Sequence, residues 1–227
     1  FLMLAMIFMM WPRAQISARR INEVLGCDIS IEDGHNDIKP TEVGTVEFKN
    51  VSFKYPDADE YLLRNISFKV NKGETIAFIG STGSGKSSLI NLVPRFYDAT
   101  DGEVLVDGVN VKNYSLEELH NKLGYIPQKA VMFTGTVKSN VAYGSKNGKK
   151  PSDAKVKEAI KIAQAQDFVS KMEDGIASHI ARGGTNVSGG QKQRLAIARS
   201  IARDPEIYIF DDSFSALDFK TDAKLRM

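Results

Sequence analysis

Residues 80–87 read Gly80-Ser81-Thr82-Gly83-Ser84-Gly85-Lys86-Ser87, a G-x-x-x-x-G-K-S pattern whose chemistry is the holding of a polyphosphate. Its glycines let the backbone wrap closely and aim N–H groups at phosphate oxygens. Lys86 brings a full charge to the β- and γ-phosphates, and the Ser87 hydroxyl, with Ser88 beside it, is placed to ligate Mg²⁺. A helix opening near Lys86 would add a positive dipole end. Further along, Ile207-Tyr208-Ile209-Phe210 runs into Asp211-Asp212, which sets two carboxylates at the C-terminal edge of a strand, where ligands bind in open α/β sheets. Alone, such a pair reads as a turn or a helix cap. Joined to the phosphate loop, Asp211 reads as a Mg²⁺ ligand acting from the outer shell or through water.

A third group stands between them. Ser188-Gly189-Gly190-Gln191 offers a Ser hydroxyl and two unobstructed Gly N–H groups at a helix start, a second anion site. A capped helix start explains Ser188 but not two glycines that weaken the first turn. The phosphate loop by itself leaves kinases, GTPases, helicases and transport ATPases open.

These groups need elements to position them. Alternation at Val46, Phe48 and, after a break, Val51, Phe53 and Tyr55 predicts strands, followed by turn-like residues 56–60. Ile66, Phe68 and Val70 continue the pattern, Asn71-Lys72-Gly73 turns the chain, and residues 75–79 are an apolar run typical of a buried parallel strand. A strand over 104–106 meets an Asp107-Gly108 turn, a helix covers 115–122, and a strand over 123–126 ends at Pro127. Residues 146–150 read as an exposed loop. Ser152 caps a helix with Val156, Ile160, Ala163 and Phe168 near one face. A second helix runs from Ser188 to about Arg203 and stops at Asp204-Pro205, and residues 206–210 read as another buried strand. Strands alternating with helices predict an α/β fold with a mostly parallel sheet, preceded by a β-layer.

The N-terminus differs from the rest. Residues 1–11 are uninterruptedly apolar and hold Met3, Met6, Met9 and Met10. As a helix they would be about 16 Å long, roughly half of what a bilayer requires. Arg13, Arg19 and Arg20 follow the run, opposite to the order in a signal peptide and as the positive-inside rule expects of a membrane helix's cytosolic end. Residues 1–25 are therefore expected to be the cytosolic end of a truncated transmembrane helix, stopping near Gly26, and residues 26–44, with Gly34, Asn36, Asp37 and Pro40, a linker. A buried helix of a soluble domain is the alternative. Net charge is +2, so the field is too weak to indicate nucleic acid as a partner. Cys27, the single cysteine, cannot form an internal disulfide and fits a reducing compartment.

Val187-Ser188-Gly189-Gly190-Gln191 resembles the L-S-G-G-Q signature of ABC transporters, with Val for Leu. The resemblance covers 45–227. It implies a P-loop NTPase (RecA-like) core with an N-terminal antiparallel β-layer and an inserted helical subdomain at about 128–203. Tyr55 resembles the family's adenine-stacking aromatic, although as a residue it reads as a core aromatic sharing a face with Phe53. Gln128 resembles the glutamine that senses Mg²⁺ and the membrane domain, and Ser215-Ala216-Leu217-Asp218 the D-loop. Met132-Phe133-Thr134-Gly135-Thr136-Val137 is similar to an exporter segment near the coupling helices. In this family two domains meet head to tail, each ATP lying between one P-loop and the partner's signature. The implied cofactors are ATP and Mg²⁺; the implied partners are a second half-transporter, the chain's own transmembrane domain and the membrane, with the domain on the cytoplasmic side.

The departures carry information. Most members have Glu where Asp212 stands, polarising the attacking water. Asp and Glu differ little in intrinsic pKa, but one fewer methylene retracts the carboxylate by roughly 1.5 Å, while a general base must lie within about 3 Å of its proton or act through water. Slow hydrolysis is expected at this chain's own site, as in heterodimeric exporters with one degenerate site. Arg182 stands where many exporters have an acidic residue, and none of His35, His120 and His179 lies beyond the D-loop, where the switch histidine belongs. Alternatives are a regulatory ATP clamp without useful hydrolysis, and a soluble or importer-type ATPase.

Overall fold

The computed structural model describes residues 1–34, 39–144 and 148–225, with Phe219 and Lys220 described by their backbone alone. His35, Asn36, Asp37, Lys146 and Met227, named above, lie outside the described residues. The chain divides into two compact units, Phe1–Glu32 and Asp33–Met227.

The first unit is one helix, α1 (Leu2–Leu25), which runs through Pro12 and ends where the Gly26 N–H bonds back to Asn22. None of its residues is buried, so Leu2, Met3, Phe8 and Trp11 all stand more than half exposed. Among the described residues no helix is long and apolar enough to cross a membrane.

The second unit opens with Asp33, whose carboxylate accepts from the Leu116 N–H, and Gly34, whose N–H donates to the Tyr114 carbonyl. Its antiparallel layer has the order β2-β1-β3-β4, built from β1 (Val46–Phe53), β2 (Leu63–Val70), β3 (Asp101–Val106) and β4 (Val109–Asn110). The break expected in the first strand is a bulge, with the pairing to β2 shifting between Phe48 and Val51 and Asn50 at φ 48°. Alternation sends Phe48, Val51, Phe53, Val104 and Val106 inward, where they meet Leu89 and Leu92 in one core. Leu89 belongs to α2 (Lys86–Asn91), the helix that opens at the end of the glycine-rich loop.

Below this layer, α3 (Leu116–Lys122), capped by the Ser115 hydroxyl, feeds directly into β5 (Leu123–Ile126). That strand pairs in parallel with β8 (Ile207–Phe210), in the register Tyr125↔Ile209 and Ile126↔Phe210. Lys122 ties the two layers together: its ammonium lies 2.6 Å from fully buried Asp107 and 2.9 Å from Glu206. A second core gathers Ile126, Met132, Val137, Val156, Ile160, Ile180, Leu195 and Ile197. It is supplied by β6 (Gly135–Thr136), α4 (Val137–Val141), α5 (Asp153–Ile162), α6 (Gln166–Val169), β7 (His179–Ile180) and α7 (Gly189–Ala202). From α7, Arg199 donates to the Val131 and Asn140 carbonyls at 3.0 and 2.8 Å, and burial lowers its pKa because these partners are neutral. The last helix is α8 (Phe219–Leu225).

Three expectations are corrected. Residues 75–79 lead into the loop but join no sheet among the described residues, and Ile76 and Ile79 are 43% and 97% exposed. Only Phe78 turns inward, against Phe68, because no described strand lies alongside to pair the run. The strand at 207–210 is half-buried: Ile209 faces the core, while Tyr208 and Phe210 alternate onto an open face. The helix begun by Ser152 stops at Ile162, because Gln164 adopts φ 54°, and Phe168 belongs to a separate turn of helix.

Candidate functional site

The loop at 80–87 is a tight cradle closed by its own lysine. Lys86 Nζ donates to the Gly80 and Ser81 carbonyls at 2.7 and 2.8 Å and lies 3.5 Å from Ser84 Oγ. Gly83 and Gly85 sit at φ 83° and 88°, which side-chain-bearing residues rarely adopt. At Gly85 a Cβ would also come within 2.9 Å of Leu63, so the loop's close seat on the start of β2 depends on a bare backbone there. Thr82, like Ser81 and Ser84, is exposed.

The two carboxylates just beyond β8 take different partners. Ile209 and Asp211 share the face turned toward α2, and there Ser87 Oγ donates to Asp211 Oδ1 at 2.7 Å, across 124 residues of chain. The Asp211 N–H, bonded to the Ile126 carbonyl at 3.0 Å, continues the ladder one step past β8 and fixes the carboxylate's origin. Asp212 leaves the strand path at φ 45°, and its Oδ2 accepts from Gln128 Nε2 at 3.2 Å. Thus Lys86, Ser87 and Asp211 form one group, and Gln128 and Asp212 another, on the same strand end.

Two members of this neighbourhood carried no mark in the sequence. Tyr125 donates its hydroxyl toward Asn91 Oδ1 at 3.0 Å and Asp211 Oδ2 at 3.4 Å. Burial, reinforced by the Asp211 charge, pushes the Tyr125 phenol up to about 12. Asn91 could have been found as the residue four after Ser87 on a predicted helix, and Tyr125 as the strand position two before Pro127. Tyr55 is tied to the same helix: its hydroxyl lies 2.8 Å from buried Ser88, and its ring meets Phe53 and Tyr97 edge-on at 4.9 and 5.2 Å.

The residues at 188–191 form their own site. Ser188 Oγ accepts from the Gln191 N–H at 3.3 Å and Gln191 Oε1 accepts from the Ser188 N–H at 2.9 Å, a reciprocal cap on α7. The cap accounts for Ser188 and Gln191 together. It leaves Gly189 with nothing within 4 Å of a notional Cβ, while a Cβ on Gly190 would lie 3.1 Å from the Ala216 carbonyl of the 215–218 turn. Among the described residues no hydrogen bond or ion pair joins 188–191 to the loop at 80–87. Arg182 opens a short 3₁₀ turn, Arg182–Gly184, and is exposed.

The donor set fits a magnesium polyphosphate. A hydroxyl and a carboxylate oxygen already converge at Ser87 and Asp211, which suits a hard cation that keeps most of its waters and takes one or two protein oxygens. The glycine backbone and Lys86 beside them supply N–H donors and positive charge for an anion. Among the described residues no cluster of three His, Cys, Asp or Glu side chains offers a different metal site.

The comparisons agree with this geometry. The family model described as ABC transporter matches residues 63–215. An ABC transporter ATP-binding protein of Mycobacterium tuberculosis is 45% identical over 226 residues, covering 99% of this chain and 38% of that protein. The ATP-dependent lipid A-core flippase of Pasteurella multocida is 42% identical over 184 residues, covering 81% of this chain and 31% of the flippase. The structure of a bacterial Atm1-family ABC exporter with ATP bound superposes with a TM-score of 0.86 at 33% identity, covering 98% of this chain and 39% of the exporter. The chain therefore spans well under half the length of these relatives. With the loop, the strand-end carboxylates and the capped glycine pair all in the segment matched, the chain belongs to the ABC transporter family and contains its nucleotide-binding domain.

Proposed function

We propose that this chain is the ATP-binding part of a membrane export transporter, in which nucleotide binding draws two such domains together and hydrolysis releases them. The Ser87–Asp211 contact beside the Lys86 cradle carries the reading, because it assembles the metal-binding and phosphate-binding groups from distant parts of the chain. Lys86 and the loop amides would hold the β- and γ-phosphates, Ser87 and Asp211 the Mg²⁺, Gln128 the metal's outer side, and Tyr55 the base. When bound, Mg²⁺ offsets the charge that develops on the transferring phosphoryl group. The Ser188–Gln191 cap, with Gly189 open above it, would present its N–H groups to the nucleotide of a partner domain. Nucleotide thereby shifts the pair toward closure by its better affinity for the closed state.

The exporter assignment draws on α1 and on the segment at 132–137. Every side chain of the apolar start of α1 is exposed, which suits the cytosolic end of a membrane helix continuing into the rest of a multi-pass protein, with this domain on the cytoplasmic side. Phe133 and Tyr143 stack at 4.3 Å over the Arg199 guanidinium while remaining 43% and 52% exposed, a surface suited to the chain's own membrane domain. The relatives named for export or lipid flipping support the same class.

Hydrolysis at this site is expected to be slow, and the partner to be a different half-transporter carrying Glu at the corresponding position. Asp212 is the observation behind this: its carboxylate is short by one methylene and is engaged by Gln128. The same residue favours the reading of this chain as a regulatory ATP clamp on a catalytic partner. Removing the partner's catalytic Glu is expected to leave the assembled transporter nearly without ATPase activity; substantial residual turnover would make Asp212 a competent base. Asp212→Glu is expected to raise turnover in that background by up to about a hundredfold, the low end of general-base effects.

A further inference from the structure

The hydrogen bonds around Asp211 hold more than the metal-binding reading requires. Ser87 and Asn91 are four residues apart on α2, hence on one face of the helix, and both reach Asp211. Ser87 does so directly, at 2.7 Å to Oδ1. Asn91 does so through the Tyr125 hydroxyl, which lies 3.0 Å from the Asn91 side chain and 3.4 Å from Asp211 Oδ2. The Tyr125 ring cannot swing away, because Phe96 packs edge-on against it at 5.3 Å and its backbone is paired with Ile209. One phenol proton cannot serve two acceptors at full strength. With the Asn91 amide turned so that its nitrogen donates to the Tyr125 oxygen, the phenol proton is free for Asp211.

We propose that Tyr125, braced by Asn91, is a positioning residue that fixes the rotation of the Asp211 carboxylate so that one oxygen faces Ser87 and the metal position. Ser87 could ligate a cation through an oxygen lone pair while its proton stays on Asp211 Oδ1, and Tyr125 holds Oδ2 at the same time. With both oxygens held, the carboxylate would meet the metal in one orientation instead of several. Outer-shell partners of this kind typically contribute ten- to a hundredfold in metal affinity, and the 3.4 Å separation puts Tyr125 at the lower end.

The inference rests on Asp211 being the metal-binding carboxylate, and the test separates the two. In the full-length subunit, binding of a fluorescent ATP analogue is titrated against Mg²⁺ and repeated in EDTA, for wild type, Tyr125→Phe, Asn91→Ala and Asp211→Asn. Tyr125→Phe is expected to raise the Mg²⁺ midpoint about tenfold while leaving the affinity in EDTA and the thermal midpoint unchanged. Asn91→Ala should move the midpoint in the same direction by less, and the double variant no further than Tyr125→Phe alone. A wild-type midpoint in Tyr125→Phe, with Asp211→Asn strongly shifted, overturns the positioning role and leaves Asp211 in place. An unshifted Asp211→Asn overturns the metal reading itself. Should Tyr125→Phe prove unstable, Asn91→Ala decides alone: an unmoved midpoint there sinks the proposal.

Discussion

Lys122→Met is expected to lower the stability of the second unit by about 3 kcal/mol, the lower end of what breaking a buried ion pair costs. The lysine is the counter-ion of Asp107, whose side chain is fully buried, and it also reaches Glu206. Without it, the donors to the Asp107 side chain among the described residues come down to the Thr45 N–H at 3.0 Å, a neutral donor for a full negative charge. A loss of this size is a large fraction of the roughly 5–15 kcal/mol that holds a domain folded. Adding Asp107→Asn to Lys122→Met is expected to recover part of it, since the orphaned charge is then gone; denaturant melts of the four proteins of this cycle measure the coupling. Burial works to lower the Lys122 pKa, but its hydrogen bonds to Asp107 and Glu206 prevail, so the net direction is upward from 10.5. A raised lysine stabilises fully below its unfolded value and loses that contribution as pH rises through its folded value. The wild type should therefore lose this contribution in the alkaline range above 10.5, and Lys122→Met should lack that step.

The site's chemistry was more legible in the sequence than the sheet that carries it. The glycine spacing at 80–87 encodes a local backbone path, and positive φ at Gly83 and Gly85 follows from local sterics alone. The Asp211 position could be placed because it ends a strand whose apolar run marks its limit, whereas Gln128 was marked only by the resemblance to the family. Burial is another matter. Periodicity shows that residues 75–79 and 207–210 are apolar, but not which neighbour covers them, and among the described residues Ile79 and Phe210 have one open side. The break at Gln164 was invisible because a single residue at positive φ carries no compositional mark when it is not glycine. Tyr125 and Asn91 escaped notice for a related reason: their importance lies in meeting across a strand and a helix separated by 34 residues, which no local pattern encodes.

Gln191 shows the opposite lesson. The resemblance to the signature assigns it to nucleotide recognition, while its side chain is already committed to the Ser188 N–H. Both follow if the cap is the means of fixing the helix start, so that Gly189 and Gly190 can present bare N–H groups. A Cβ on Gly190 would lie 3.1 Å from the Ala216 carbonyl, so a side chain there requires the turn at 215–218 to shift.

The second large effect concerns Lys86. Its ammonium is held by the Gly80 and Ser81 carbonyls, both on an exposed loop that water can solvate when the lysine is removed. Lys86→Ala should therefore cost little stability. The loss for nucleotide should be large, because charge-assisted hydrogen bonds to phosphate contribute up to about 3 kcal/mol, or roughly a hundredfold in Kd. The decisive measurement is equilibrium binding of a fluorescent ATP analogue to the full-length subunit in Mg²⁺, wild type against Lys86→Ala, with melting curves of both. Tight, Mg²⁺-dependent binding by the wild type, weakened about a hundredfold by the substitution at unchanged melting temperature, is expected. No binding by the wild type, or equal binding by both proteins, would contradict it.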